Sequence, residues 1–334
     1  MTIACFGELM LRLSPSQPGE TLRHTHQLKM EFAGAESNVA TGLSALGNSV
    51  RFLSKFPNNT IGDAAIASLQ GYGIDCSHII RGGDRLGTYF IELGHSLRPS
   101  KVVYDRAHSA ISESSCNDFD WPYLLQGCRY LHLSGITPAL SDTCVDVTLD
   151  AAKSAQRLGL TVSFDMNFRR SLWQDSTRAG EIFTQLLKTA DIAFGNAGVM
   201  ADVFNQTYDN LAPEAAAAQA ARDLSDTYGL IAATTCRQSH SASQNTLSGF
   251  IANRNETFRS QTIRVDILDR LGTGDAFASA CLDGIIKNKP LKDTVNFANA
   301  AFALAHAVYG DPHLSSREDI QAIADGQTGG YILR

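Results

Sequence analysis

The sequence predicts an α/β protein: a mainly parallel central sheet with helices on both faces, plus a small β-sheet lid. Three observations carry that expectation. Short apolar runs alternate with helical patterns along most of the chain, as they do where crossover helices join parallel strands. Two segments, 9–30 and 84–112, break the alternation and lack helical spacing. The chain has 334 residues, 44% of them hydrophobic, which is enough for one large domain with a small satellite.

The elements follow in order. "IACF" opens the chain as a buried strand. The surrounding "MTIACFGELMLRL" contains Glu8 and Arg12 and has no basic run leading an apolar one, so it is not read as a signal peptide. "SNVATGLSALG" (37–47) has helical spacing and closes at Gly47. "VRFLSKF" follows as a strand and "GDAAIASLQGYG" as a helix. "TYFIEL" and "KVVYD" flank a Gly/Pro-containing middle within 84–112 and read as a hairpin. With residues 9–30, that hairpin forms a lid over the sheet edge. "RYLHLSGI", "LTVSFDMN", "ADIAFGN" and "GLIAATT" are further strands, separated by helices that include 141–158 and 213–228. Pro213 suits a first helical turn and Gly229 its end. One domain over 1–334 is expected, with 9–30 and 84–112 inserted as lid segments.

Composition narrows the function classes. The formal net charge is −6 and there is no long basic run, so nucleic acid and anionic membrane are poor partners. No stretch approaches the roughly 20 apolar residues of a membrane span. Seven cysteines, an odd number, contain no Cys-x-x-Cys pair and read as reduced thiols of a cytoplasmic protein. His24 and His26 form an H-x-H without accompanying acids or cysteines, so no metal site is expected there.

The chemistry gathers at "DRLGTGDAFASACL", residues 269–282. Its apolar positions have helical spacing, which places Asp275 at a helix N-terminus behind Gly272, Thr273 and Gly274. Backbone N–H groups at such a start have no helix partner, and the helix dipole adds to their pull on an anion. Glycine lets the backbone approach a phosphate closely. Asp275 would repel a passively bound anion. It fits if it accepts a proton from an attacking hydroxyl while the amides stabilise a transferring phosphoryl group. Equally, it fits a plain helix cap.

"DRLGTGDAF" and "FAGAESNVATGLSALG" (32–47) resemble, in order, the two signatures of the ribokinase/PfkB carbohydrate kinases. The resemblance covers essentially the whole chain. It implies ATP and Mg²⁺ as cofactors, Asp275 as catalytic base, and Gly272, Thr273 and Gly274 as an anion hole. No P-loop signature is present. Within the family, "RLGTYFIELGHSLRPSKVVYDRAHSA" (85–110), "SFDMNFRRSLW" (163–173), "TTCRQSHSAS" (234–243) and "ALAHAVYGD" (303–311) look like 2-keto-3-deoxygluconate kinases. A sugar acid carries a carboxylate that ribose and fructose lack, and arginine supplies a fork of donors for one. Arg106, on the lid, and Arg169, after a strand end, are the candidates. By the same resemblance Gly34 and Asn38 touch substrate hydroxyls, Tyr89 and Tyr104 reach it from the lid, and Asp165 and Asn167 support it. Glu8 is a lesser candidate for a hydroxyl contact. For the nucleotide, Asn196 and Thr235, Arg237 and Ser239 of a 235–240 loop line the phosphates. His306 and the Gly310–Asp311 turn lie near the adenine. The tyrosines can also be read as sheet packing, the arginines as surface ion pairs, and His306 as a core histidine. A homo-oligomer formed through the lid is a further expectation.

The chain departs from the family pattern at "NAGV" (196–199). An N-x-x-E there would supply an acid that orders magnesium-bound water, and Val199 stands in its place. A weakened magnesium site is therefore expected. Ala33-Gly34 replaces Gly-Gly, and Thr273 replaces alanine. The competing readings are a fructokinase or ribokinase, which the arginines disfavour, and a catalytically silent sugar-binding protein. A nicotinamide dehydrogenase is disfavoured because "CFGELMLRL" lacks G-x-G-x-x-G.

Overall fold

The computed structural model describes residues 1–17 and 19–329. Strand β1 (Thr2–Phe6) is buried on both faces. Ile3 and Cys5 enter one apolar core, Ala4 and Phe6 the other, as expected of a central parallel strand. The chain then leaves the sheet as an antiparallel pair, β2 (Met10–Pro15) and β3 (Leu28–Ala33). Helix α1 (Ala35–Ala45) brings it back to β4 (Ser49–Leu53), parallel to β1. Next come β5 (Lys55–Phe56), α2 (Thr60–Gly71) and β6 (Ile80–Arg81). The second excursion is the antiparallel hairpin β7 (Thr88–Glu92) and β8 (Lys101–Asp105).

After the short α3 (Trp121–Leu124), strands and helices alternate as far as α6. The series runs β9 (Cys128–Ser134), α4 (Asp142–Arg157), β10 (Thr161–Asp165), α5 (Ser176–Leu187), β11 (Ile192–Gly195), α6 (Ala197–Phe204) and α7 (Pro213–Tyr228). It continues through β12 (Ile231–Ser241), β13 (Gln244–Ala252), β14 (Thr257–Arg259) and β15 (Ile263–Asp266). It closes with α8 (Thr273–Ile286), α9 (Leu291–Ala305) and α10 (Arg317–Ala324).

Among the described residues, nine strands make the main sheet, in the order β14-β13-β12-β11-β10-β9-β1-β4, with β15 also on β13. It is parallel from β4 to β12, and β13 turns back antiparallel. Helices α4 to α7 cover one face through residues such as Val147, Phe183 and Leu224. Helices α1, α2, α8 and α9 cover the other through Val39, Leu69, Phe277 and Phe302. The predicted α/β sandwich is thus the observed one.

The two excursions join into the lid. Strands β2 and β7 pair in parallel, giving a four-stranded sheet β3-β2-β7-β8. Its inward face clusters Met10, Ala33, Tyr89 and Ile91. Its other face leaves Leu28, Met30 and Val103 exposed.

One expectation fails here. Residues 235–240 are not a loop but the far half of β12, paired with β13 from Ala232 to Ser241. The segment projects past the covered part of the sheet. Its polar alternation reflects that exposure and not an absence of backbone pairing.

Candidate active site

The strand order brings both signature segments to the carboxyl edge of the sheet, where ligands collect in open α/β folds. One pocket there is lined by Gly34, Asn38, Tyr89, Tyr104, Arg106, Arg169, Gly272 and Asp275, together with Asp311. Eight residues expected from sequence to act at the site therefore share a single cleft. It lies between the lid and the starts of α1 and α8.

Backbone crowding fixes both helix starts. Gly34 caps α1, and a Cβ there would stand 2.0 Å from the Glu8 carbonyl oxygen. Gly272 caps α8 with φ +68°, and a Cβ would stand 1.9 Å from the Asp311 carbonyl oxygen. Only glycine meets both conditions at position 272. The first intrahelical bond of α8 runs from the Ala276 N–H to the Gly272 carbonyl. The N–H groups of Thr273, Gly274 and Asp275 precede it and have no acceptor within the helix, the arrangement on which helix starts bind anions.

Asp275 lies in the first turn of α8 and is buried. Its Oδ2 accepts a 2.7 Å hydrogen bond from Asn38 Nδ2. Burial pushes its pKa up to about 8; the Asn38 bond opposes this, the Asp165 charge adds to it, and Arg169 pulls the other way. Such a carboxyl is poised to exchange a proton near neutral pH. Asn38 was expected to touch substrate. The structure adds a role the sequence did not signal, orienting the acid.

The two arginines differ. Arg106 on the lid is buried and donates to Glu8, whose other oxygen accepts from Ser109 Oγ at 3.1 Å. Glu8, the lesser candidate, is thus Arg106's counter-charge. Arg169 is exposed to the pocket, and unlike Arg170, which pairs with Asp202, it makes no ion pair among the described residues. The lid tyrosines stack obliquely, with ring centroids 5.9 Å apart. Tyr104 is open to solvent, whereas Tyr89 is buried and its hydroxyl donates to Asp311 at 2.9 Å. Asp165 ends β10, and its Oδ1 accepts the Asn167 N–H at 2.9 Å. That bond holds Asn167 at φ +28°. Neither Asp165 nor Asn167 lines the pocket wall. Their turn presents Arg169.

On the expected nucleotide side, Thr235, Arg237 and Ser239 project from one face of β12 by strand alternation. Desolvation and the charges of Arg270 and Arg169 lower the proton affinity of Arg237. Arg270 and Arg169 thus lie near enough to Arg237 for their charges to oppose its own. Asn196 is the N-cap of α6, its Oδ1 accepting the Val199 N–H at 3.0 Å. "NAGV" is thus a helix start and not an open loop. Val199 is packed in the core. The expected gap at 199 is consequently filled by an apolar side chain facing inward. His306 is fully buried at the end of α9. Burial lowers its pKa to about 4, so the neutral ring donates from Nδ1 to the Phe302 carbonyl at 2.7 Å. Gly310 donates its N–H to Asp269, and Asp311 turns toward the lid.

Two site residues escaped the sequence reading. Glu36 is wholly buried beside the pocket, its Oε1 accepting from Ser134 Oγ and Thr137 Oγ1 at 2.7 Å each. Burial raises its pKa to about 7. It pins the start of α1 to the end of β9. Arg12 of β2 is buried among Asp269, Asp311 and Glu31. A charge in the first turn of a helix, as at Glu36, or in a strand, as at Arg12, otherwise signals a solvated face, and no sequence pattern marks either as buried.

All seven cysteines are free. Among the described residues there is no cluster of three or more metal-ligating side chains and no helix long and apolar enough to cross a membrane.

Comparison with known proteins agrees with this architecture. The chain is 30% identical over 331 residues to 2-dehydro-3-deoxygalactonokinase of Haloferax volcanii, covering 98% of each chain. It is 30% identical over 327 residues to 2-dehydro-3-deoxygluconokinase of Bacillus subtilis, covering 96% of this chain and 95% of that one. The crystal structure of 2-dehydro-3-deoxygluconokinase from Thermotoga maritima superposes with a TM-score of 0.94 at 38% identity, covering 98% of this chain and all of the other. The model of the pfkB family carbohydrate kinases matches residues 1–314, and the chain belongs to that family.

Proposed function

We propose that the protein transfers the γ-phosphoryl group of ATP to a hydroxyl of 2-keto-3-deoxygluconate. The observation that carries this reading is one pocket holding both Asp275, at a helix start, and Arg169, a cation with no ion pair among the described residues. Asp275 takes the proton from the substrate hydroxyl, whose oxygen attacks the γ-phosphorus as ADP leaves. The N–H groups of Thr273, Gly274 and Asp275 meet the charge that develops on the phosphoryl oxygens. Arg169 pairs with the substrate carboxylate. Arg106, already neutralised by Glu8, and Tyr104 orient its hydroxyl groups from the lid. Arg237 and Arg270 face the nucleotide phosphates. Mg²⁺, when bound, would offset the negative charge of the phosphates. With Val199 in the core, the nucleotide phosphates and water would hold that ion, and the carboxylates whose charges reach Asp275 are Asp165 and Asp311.

A second substrate is favoured by the Haloferax volcanii relative, named for the galactonate epimer at the same 30% identity as the gluconate enzyme. Incubation with Mg–ATP and each epimer, followed by phosphorus NMR, tests the reading. A new phosphate monoester of either acid supports it, and a preference names the substrate. Inorganic phosphate alone, or no reaction, overturns it. The apolar outer face of the lid, with Leu28, Met30 and Val103 exposed, supports a homo-oligomer joined there. Light scattering of wild type and Met30→Lys tests that contact, and an unchanged mass for the variant removes it.

A further inference from the structure

We infer that Arg12 is a positioning residue that makes the anion hole depend on the lid. The inference rests on the phosphoryl-transfer reading of α8. Arg12 lies on lid strand β2 and is 1% exposed. Its Nη2 donates to Asp269 Oδ2 at 2.8 Å, and its Nη1 donates to Asp311. Those carboxylates belong to the two loops that bracket Gly272. Asp269 Oδ1 accepts the N–H groups of Arg270 and Leu271, at 2.7 and 3.1 Å, and so bends the chain into the helix start. Its Oδ2 also accepts the Gly310 N–H at 3.2 Å. The Asp311 carbonyl packs on Gly272 itself. From the next lid strand, the Tyr89 hydroxyl donates to the second Asp311 oxygen at 2.9 Å.

One guanidinium fork thus spans two acids from different loops, a geometry a lysine point charge cannot reproduce. With the lid in place, the acids share a cation and the loops are fixed. With the lid displaced, two buried carboxylates face each other uncompensated, and the turn before Thr273 loses its anchor. A lid held in place by Arg12 therefore keeps the phosphoryl site complete, so the seating of the lid is coupled to readiness for transfer.

Arg12→Lys keeps the charge and most of the volume. Its kcat should fall about ten- to a hundredfold, the effect of losing a charge-assisted hydrogen bond, with KM for the sugar acid nearly unchanged. Amide hydrogen exchange of peptides covering 269–276, measured without substrate, should accelerate in the variant while α4 and α5 keep their protection. Asp311→Asn, which retains the shape, should give the same pattern in weaker form, and it stands as the test should Arg12→Lys not fold. Wild-type exchange rates at 269–276 in both variants, or a change confined to KM, would overturn the inference. Should the wild type phosphorylate no sugar, the functional reading fails, yet the exchange measurement still decides whether Arg12 anchors the helix start.

Discussion

Asn38→Leu should move the pH dependence of catalysis upward. Asn38 Nδ2 is 2.7 Å from Asp275 Oδ2 in a buried setting, and a donor to a carboxylate favours its ionised form. Asp275 is already raised to about 8, burial being the largest cause and the Asn38 bond the first influence opposing it. A hydrogen bond to a charged group is worth about 1.5–3 kcal/mol, and about 1.4 kcal/mol corresponds to one pH unit. Its loss should therefore displace the limb by about one to two units. Leucine preserves the volume, and Asn38 Oδ1 has no partner to lose, so the fold should hold. The assay is kcat/KM for ADP release from pH 6 to 10. Wild type should gain activity as pH climbs through the Asp275 pKa, and the variant should gain it later. A variant limb that coincides with wild type refutes the argument, because Asn38 would then not control the acid that limits turnover. A higher KM alone would report only a lost substrate contact.

Other perturbations separate the remaining roles. Asp275→Asn should lower turnover about 10²- to 10⁴-fold, as removal of a general base does, while raising the melting temperature near pH 8. The native carboxyl holds its proton more tightly than the unfolded chain, whose value is 3.8, so wild-type stability declines as pH rises between 3.8 and about 8. Melting curves at pH 5 and 8 check this, and the gain should be larger at pH 8 than at pH 5. Arg169→Ala should raise KM for the sugar acid about ten- to a hundredfold with little effect on stability. Arg106→Ala should also lower stability, since Glu8 would be left buried and unpaired; chemical denaturation distinguishes the two. Val199→Glu places an acid in the core and should destabilise the protein by several kcal/mol without reducing the magnesium requirement, which a denaturation curve and a magnesium titration read together.

Where local chemistry matches local structure, the sequence is legible. Gly34 and Gly272 announce helix starts because backbone atoms crowd both positions. The lid strands were visible as interruptions of helical spacing, and the parallel strands as apolar runs buried on both faces. The far half of β12 was misjudged because a strand exposed beyond the helices loses its apolar signature while keeping its backbone pairing to β13. Val199 shows a similar limit: a motif position predicts a side chain facing ligand, yet the helix it begins turns that position inward. Arg12, Glu8 and Glu36 depend on contacts from distant segments, at sequence separations of 257, 98 and 98 residues for bonds to Asp269, Arg106 and Ser134. No local pattern encodes such partners.

The measurement that bears most directly on the central claim is kcat/KM for ADP release with 2-keto-3-deoxygluconate and with fructose, in wild type and in Arg169→Ala. The proposal predicts a strong wild-type preference for the acid, because Arg169 is the pocket cation that makes no ion pair among the described residues, whereas Arg106 pairs with Glu8. It also predicts collapse of that preference by about ten- to a hundredfold in the variant, through loss on the acid and little change on the neutral sugar. A wild type that prefers fructose, or an acid preference that survives removal of Arg169, would contradict the account.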